Sequence, residues 1–417
     1  MAQLSDDCFA FGGELLRIDA ALARIHERVA PVVETERVAL AGAAGRILAH
    51  DLIATINLPP HANSAVDGYA VAHADLLQDR ETVLPVTGRA AAGHPLGRLA
   101  RPGEAIRIFT GAPMPAGTDT VMMQEDCIVE DGRVRLRPGI KKGANRRHAG
   151  EDVAEGAIAL GAGQRLRPAD IGLAAALGQS ELVVFRPLRV ALMSTGDEVR
   201  DPGGPLPSGA IYDANRFMLA ALLKGLGCVV DDFGIRPDRE AALVDTLAAA
   251  SVEHDLIVTS GGVSTGEEDH VKTAIERLGS LHFWRLAIKP GRPVALGQIG
   301  GVPLIGLPGN PVAVIVTFVV LARPLVLQLA GAAASAPRLF QVRAGFAYRK
   351  KPGRREYLRA SLERDSGALI AVKYPRDGAG ILSSIVRSEG LVILEETVGE
   401  LSPGTPVYFL PFSEVFA

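Results

Sequence analysis

Residues 255–272, DLIVTSGGVSTGEEDHVK, decide how this chain folds. The stretch begins with Leu256, Ile257 and Val258, a short apolar run of the kind a strand buried on both faces requires. Gly261 and Gly262 follow, then Ser264, Thr265 and Gly266. Beyond them Val271, Ala274, Ile275 and Leu278 recur at the i, i+3, i+4, i+7 spacing of one helix face. A strand, a turn of glycines and hydroxyls, and a helix together direct backbone N–H groups at an anion. The turn also carries Glu267, Glu268 and Asp269, which repel a bare phosphate. Acids beside a phosphate cradle make sense when a divalent cation lies between them. An ordinary strand-to-helix loop whose acids cap the helix gives the same letters.

Outward from this stretch the same alternation continues. RVALMSTGDEV (189–199) reads as a buried strand ending in Ser194-Thr195-Gly196-Asp197-Glu198, and Leu219, Leu222, Leu223 and Leu226 mark a helix that stops at Gly227. CVVDDFGI (228–235) is a further strand, running to Asp238, and residues 240–251 a further helix. HFWRLAIKPGRPVALGQ (282–298) and VPLIGLPGNP (302–311) add strands, and Pro311 opens a helix at the position where proline is tolerated. Alternating strands and helices predict a parallel sheet with crossover helices, whose ligands bind along the edge of strand C-terminal ends. The loops 194–198, 261–269, 289–293 and 306–310 are expected to meet there.

The flanking regions have other textures. Residues 15–50 read as two helices separated at Pro31, one with the stripe Leu15, Ile18, Leu22 and Ile25, the other over Val38–Leu48. From Glu81 to Arg137 short β-like segments dominate, and Asp131-Gly132 between two of them signals a type I′ hairpin. KKGANRRHAGED (141–152) is either a solvated basic loop or a shaped loop presenting Arg146 and Arg147 to an anion. AGAAASAP (330–337) reads as a linker, and the alternating segments after it suggest a closed or partly closed barrel.

Composition excludes several classes. A net charge of −3 argues against a general nucleic-acid or membrane-surface binder. Cys8, Cys127 and Cys228 lie far apart with no CxxC pairing, which fits a reducing compartment and gives no zinc site. Asp6, Asp7 and Glu14 stand where a signal peptide needs a basic and apolar start. The most apolar run, Val312–Leu321, is short of the ~20 residues of a membrane span, and Arg323-Pro324 is expected to close it. A soluble, cytoplasmic protein is the expectation. No Ser/His/Asp order and no GK[ST] after GLPGNP appears, so acyl transfer and P-loop hydrolysis are disfavoured. The acids Glu198, Asp238 and Asp269 and the cations Arg285, Lys289 and Arg292 at one sheet edge predict a metal-assisted enzyme acting on an anionic, phosphorylated ligand.

NSAVDGYAV (63–71), IRIFTGAPMPAG (106–117), RRHAGEDV (146–153), ALMSTGDEV (191–199), IYDANR (211–216), SGGVSTGEEDH (260–270), LAIKPGRP (286–293) and GLPGNPV (306–312) resemble the molybdopterin molybdenumtransferase family, to which the gephyrin C-terminal domain is similar. The resemblance runs in order from about Leu15 to Phe412. It implies a multidomain α/β plus β fold: an elongated helical linker and dimerisation domain (1–53 and 146–185), an inserted β-rich lid (54–145), a three-layer α/β molybdopterin-binding domain (186–331) and a C-terminal β-barrel (337–417). It also implies a homodimer with the active site between the α/β domain of one subunit and the lid of the other. The implied reaction inserts molybdenum from molybdate into adenylated molybdopterin, with Mg²⁺-dependent cleavage of the adenylate and release of AMP. A molybdopterin adenylyltransferase and acceptor molybdoenzymes or their chaperones are the implied partners.

Carried over by position, the resemblance makes Asp67, Asp152, Glu198 and Asp269 catalytic acids, and Glu198, Asp238 and Asp269 the metal-binding set. It places Thr110, Arg146, Ser194, Thr195, Gly196, Asp238, Ser260, Gly261, Gly262, Ser264, Gly266, Arg285, Lys289, Pro308, Gly309 and Asn310 against substrate. Three positions depart from the family's habit: Arg285 stands where lysine is usual, His270 where tyrosine is frequent, and Ala379 in GAGILSS (378–384) where many members have serine. Arginine keeps the charge but changes donor geometry. Two other readings share the fold. A non-catalytic scaffold would have no need of converging carboxylates, and an enzyme that adenylates molybdopterin would have no need of the lid and barrel.

Overall fold

The computed structural model describes residues 15–237, 239–261, 270–365 and 367–416. Its centre is a six-stranded sheet in the order 229–236, 189–195, 256–260, 302–307, 293–299, 279–285. Strand Leu256–Ser260, from the decisive stretch, lies between Arg189–Thr195 and Val302–Leu307 and is buried along its whole length. Side chains alternate across the pleat. Val190, Leu192, Leu256 and Val258 face one apolar cluster, built with the helices Ile18–Arg28 and Asn215–Gly225 and the helical stretch 311–329. Ala191, Met193 and Ile257 face another, built with the helices Glu240–Glu253 and His270–Leu278. The unit therefore has three layers. Each fully buried large apolar side chain, Trp284 and Phe318 among them, contributes about 1.5–3 kcal/mol relative to exposure.

The sheet is mixed where a parallel one was expected. Five of the six strands point the same way, but Pro293–Ile299 is antiparallel to both its neighbours. Gly300 and Gly301, both at positive φ, join it to Val302 with Ile299 directly opposite. A two-residue connection permits only an antiparallel return. Arg186 and Asp255 fix the opposite end of the sheet. The guanidinium donates to both carboxylate oxygens at 2.7 Å, and the Arg189 N–H donates to the same group at 2.8 Å.

Two further expectations are corrected. The second helix expected over Val38–Leu48 is absent apart from one 3-10 turn at Leu40–Gly42: Thr35–Ala39 pairs with Glu181–Phe185, and Ile47–Leu48 joins the same small sheet. The partner strand lies far along the chain, so local periodicity could not reveal it. Nor does Arg323-Pro324 end the apolar helix. Helical turns run on from Pro311 to Leu329, with a π segment over Phe318–Ala322 directly before Arg323. A widened turn is one way to accommodate a proline that lacks the N–H donor and crowds the preceding carbonyl. By length and composition this stretch could cross a membrane, yet most of it is buried within the fold. It is a core helix.

Residues 68–136 form a six-stranded sheet in the order 120–123, 68–71, 105–108, 82–90, 133–136, 127–130. Asp131 and Gly132 both have positive φ, as the expected type I′ hairpin demands. Short pairings of Leu52–Ile53 with Ile158–Leu160 and of Asn63–Ser64 with Arg146–Arg147 tie the excursion's two ends together. Inside this sheet Glu104 is 7% exposed and accepts from Arg98, Thr87 and the Arg101 N–H. Arg98 above all holds its carboxyl down at about 2 from an ordinary 4.5. The stabilisation from this depressed acid is complete above pH 4.5 and is lost as pH falls through about 2. Melting of the protein between pH 5 and 2 should show this loss, and Glu104→Gln should flatten the profile while lowering stability at pH 7.

Past residue 337 five strands close on themselves. Strand Arg355–Asp365 pairs with both Ala368–Lys373 and Gly390–Leu394, and the ring runs through Phe340–Ala344 and Pro406–Pro411. Val392, Phe409 and Leu358 fill this barrel. Ile288–Lys289 of the α/β unit adds to it as a further strand beside Arg355-Glu356.

Candidate active site

Strands 189–195, 256–260 and 302–307 end together, and two adjoining cavities open at that edge. The larger, about 610 Å³, is walled by Thr195, Gly261, Lys289, Arg292 and Asn310 from the α/β unit and by Arg354 and Ala379 from the barrel. The smaller, about 300 Å³, shares Thr195, Glu198, Gly261, Gly309 and Asn310 and adds Ser194, Ser260, Asp213 and Asn215. Of the residues expected to bind substrate here, Ser194, Thr195, Gly196, Ser260, Gly261, Lys289, Pro308, Gly309 and Asn310 all line one or both cavities, as does the acid Glu198.

Two glycines let these loops approach closely. Gly196 has φ +137°, and a Cβ there would lie 2.7 Å from the Glu198 carboxylate, which folds back over it. Gly261 has φ +82°, and a Cβ would lie 2.7 Å from the Thr195 carbonyl. Only glycine takes both the conformation and the contact without strain.

The smaller cavity has unused hydrogen-bonding capacity. The Ser194 and Thr195 hydroxyls are buried, their residues 2% and 3% exposed, and find no partner among the described residues. The Asn215 amide donates to the Gly309 carbonyl at 2.7 Å, which leaves its Oδ1 buried and unpartnered as well. A buried polar group without a partner costs about 1–3 kcal/mol. All three belong to residues that line this cavity.

The larger cavity is basic. Lys289, Arg292 and Arg354 line it, and Glu198 stands at its border with no ion pair among the described residues. Sequence reading missed Arg354, because its position follows only from the strand pairing between barrel and α/β unit. Ala379 lacks the hydroxyl frequent at its position, yet its loop does reach the cavity. The Ala379 carbonyl accepts from the Val312 N–H at 2.9 Å, and Gly380 lies beside the Asn310 side chain. Asn215 lay in a recognised motif without a role assigned. Its signal was an amide at a helix start beside a glycine-rich turn.

Other expected residues lie elsewhere. Arg285 is exposed at the end of its strand and lines neither cavity. Asp238, Gly262, Ser264, Gly266 and Asp269 are outside the described residues, so of the expected metal-binding set only Glu198 is placed. Among the described residues no cluster of three or more His, Cys, Asp or Glu side chains could hold a metal. Asp67 and Thr110 flank strands of the 68–136 sheet, Arg146 lies on the short strand paired with Asn63–Ser64 and Asp152 follows it, its N–H bonded to the Leu58 carbonyl; none lines either cavity. Asp67 Oδ1 accepts from both the N–H and the hydroxyl of Thr110 at 2.8 Å, and these bonds, the N–H first, hold its carboxyl below the ordinary range. The Arg146 guanidinium approaches His148 Nδ1 at 3.1 Å, and its Nε is buried with no partner among the described residues. Asp152 is exposed. Burial pushes the thiols of Cys127 and Cys228 up to about 11 and about 12, so neither is a nucleophile at neutral pH.

Known proteins are similar to this chain over most of its length. Residues 16–178 match the family described as MoeA N-terminal region (domain I and II), residues 191–328 the probable molybdopterin binding domain, and residues 341–412 the MoeA C-terminal region (domain IV). The chain is 39% identical over 404 residues to the molybdopterin molybdenumtransferase of Haemophilus influenzae, covering 96% of this chain and all of that one. It is 36% identical over 378 residues to molybdopterin molybdenumtransferase 2 of Mycobacterium tuberculosis, covering 88% and 93%. The molybdopterin biosynthesis MoeA protein of Pyrococcus horikoshii superposes with a TM-score of 0.81 at 27% identity, covering 95% of this chain and 100% of that one.

Proposed function

The chain belongs to the molybdopterin molybdenumtransferase (MoeA) family, and we propose from that premise that its two cavities bind adenylated molybdopterin and molybdate side by side. The protein is a transferase of molybdenum cofactor biosynthesis, inserting molybdenum into molybdopterin. The observation that carries the arrangement is the pairing of a cavity with three unpartnered buried polar atoms and one walled by three cations. The first suits the polar edge of a pterin. The second suits an oxyanion, since Lys289, Arg292 and Arg354 provide fixed positive charge for molybdate or phosphate.

Mg²⁺ would be held by Glu198 together with Asp238 and Asp269. The exposed, unpaired Glu198 carboxylate beside basic groups has the hard oxygen donors this ion takes. When bound, it would neutralise charge on the adenylate's pyrophosphate. The chain's own groups do the rest: Gly196 and Gly261 let backbone approach the ligand, and the cations hold the incoming oxyanion. Adenylate cleavage with release of AMP belongs to this proposal. So does a homodimer. Asp67, Thr110, Arg146 and Asp152 line neither cavity of their own chain, and a second copy's lid would bring these groups to the site. Supply by a molybdopterin adenylyltransferase, handover to molybdoenzymes or their chaperones, and action in the cytoplasm complete the reading.

The test is AMP release from adenylated molybdopterin, with molybdate and Mg²⁺ each present or withheld. Release that needs both ions is expected. Tight binding without release would reduce the protein to a scaffold, and ATP-dependent adenylation of molybdopterin would replace the assignment.

A further inference from the structure

Lys289 does not stand alone in its cavity. Its ammonium lies 3.2 and 3.3 Å from the two carboxylate oxygens of Glu356, a residue of the barrel 67 positions later in the chain. The Glu356 side chain is only 4% exposed, whereas that of Lys289 is 50% exposed toward the cavity. The Tyr348 hydroxyl donates to Glu356 Oε2 at 2.8 Å. Backbone geometry sets the pair, because Ile288–Lys289 and Arg355-Glu356 run as parallel partner strands with Lys289 opposite Glu356. Lys350 faces the same carboxylate as a further positive charge, its own ammonium donating to the Arg354 carbonyl.

From this geometry we infer that Glu356, with Tyr348 behind it, is a positioning residue for molybdenum insertion: it fixes the Lys289 ammonium so that its free donors point at the oxyanion in the cavity. The inference rests on the functional reading above and adds a group that reading does not contain. A lysine is a point charge on a flexible four-carbon stem, and unsupported it scatters its charge over many rotamers. A buried carboxylate holding it by both oxygens leaves part of the ammonium's donor capacity for the cavity. An ion pair that is half in water and half buried is poor evidence for stability by itself. Here it lies against the cavity wall, near Arg354, the residue directly before the strand Arg355–Asp365. Glu356 also lowers the net positive field that a bound anion experiences. Its two effects therefore oppose each other: it aims the cation and weakens ground-state attraction.

That opposition makes the role testable. Glu356→Gln keeps the shape and an acceptor oxygen but removes the negative charge. Molybdate binding, measured by isothermal titration, should hold or tighten a fewfold, while the rate of molybdate-dependent AMP release falls at least tenfold, since misplacement costs transition-state stabilisation first. In a Lys289→Ala background the same substitution should lower turnover by less than twofold, because the group it aims is gone. A substitution that merely loosens the barrel would weaken binding and turnover together and in both backgrounds, and that result would overturn the inference. So would molybdate affinity indifferent to Lys289→Ala. If the unsubstituted protein binds molybdate but releases no AMP, the functional reading falls by itself. The affinity cycle between Lys289 and Glu356 then still decides the pairing: additive effects overturn it, and coupled effects sustain it.

Discussion

Glu198→Ala lowers AMP release by roughly 10²-fold or more and removes its Mg²⁺ dependence, as expected when a metal's carboxylate partner is lost. Glu198 borders both cavities, so it is the one placed acid that can serve a cation lying between them. It is exposed and forms no ion pair among the described residues, so its removal leaves no buried charge behind and should not unfold the chain. The turn that presents it is specialised, since Gly196 makes room for the folded-back carboxylate. Binding of adenylated molybdopterin measured without Mg²⁺ should change little, because the unpartnered groups at Ser194, Thr195 and Asn215 remain. Turnover above one tenth of the original with an unaltered Mg²⁺ response would remove Glu198 from the metal site.

Arg216→Ala acts on stability instead. The guanidinium is 6% exposed and meets three carboxylates: Asp213 at 3.1 Å, and Asp201 and Asp232 in closer contact. Asp213 is itself nearly inaccessible and borders the smaller cavity. Removing the cation strands a buried negative charge, and breaking a buried pair in this way costs about 3–5 kcal/mol. The residue also sits in the first turn of the helix Asn215–Gly225, directly after Asn215, so Asn215 would lose its fixed position and ligand affinity would fall with it. Arg216→Lys should rescue only a minor part, since one ammonium cannot fork to three carboxylates. Urea unfolding followed at the single tryptophan, Trp284, which is buried in the same unit, measures the effect. A loss below about 1 kcal/mol would mean that these acids are solvated well enough without the arginine.

The legible parts of this molecule were those whose causes lie close together in the chain. The strand at Leu256–Ser260, the helix stop at Gly227 and the hairpin at Asp131-Gly132 each follow from a few consecutive residues. The site was legible to the same depth: turns at strand ends collect on one edge of an α/β sheet, so Ser194, Thr195, Gly196, Glu198, Gly261 and Pro308–Asn310 follow together from the sequence alone. Misreadings arose where distant partners decided. Thr35–Ala39 became a strand because Glu181–Phe185 lies beside it, and the helix crossed Pro324 because the surrounding apolar core outweighs a local breaker.

Sequence by itself determined an α/β unit of alternating strands and helices, a β-rich unit after the linker, and the chemical character of the strand-end loops, because apolar period and turn chemistry are local properties. Only the tertiary structure decided which charges share a cavity. Arg354 and Glu356 reach Lys289 through one parallel strand pairing, and the Ala379 loop reaches the cavity through a backbone hydrogen bond to Val312. Asp67, Thr110, Arg146 and Asp152, prominent as they are in the sequence, stand apart from those cavities. Electrostatic interactions depend on distance in space, and separation along a folded chain carries almost no information about that distance.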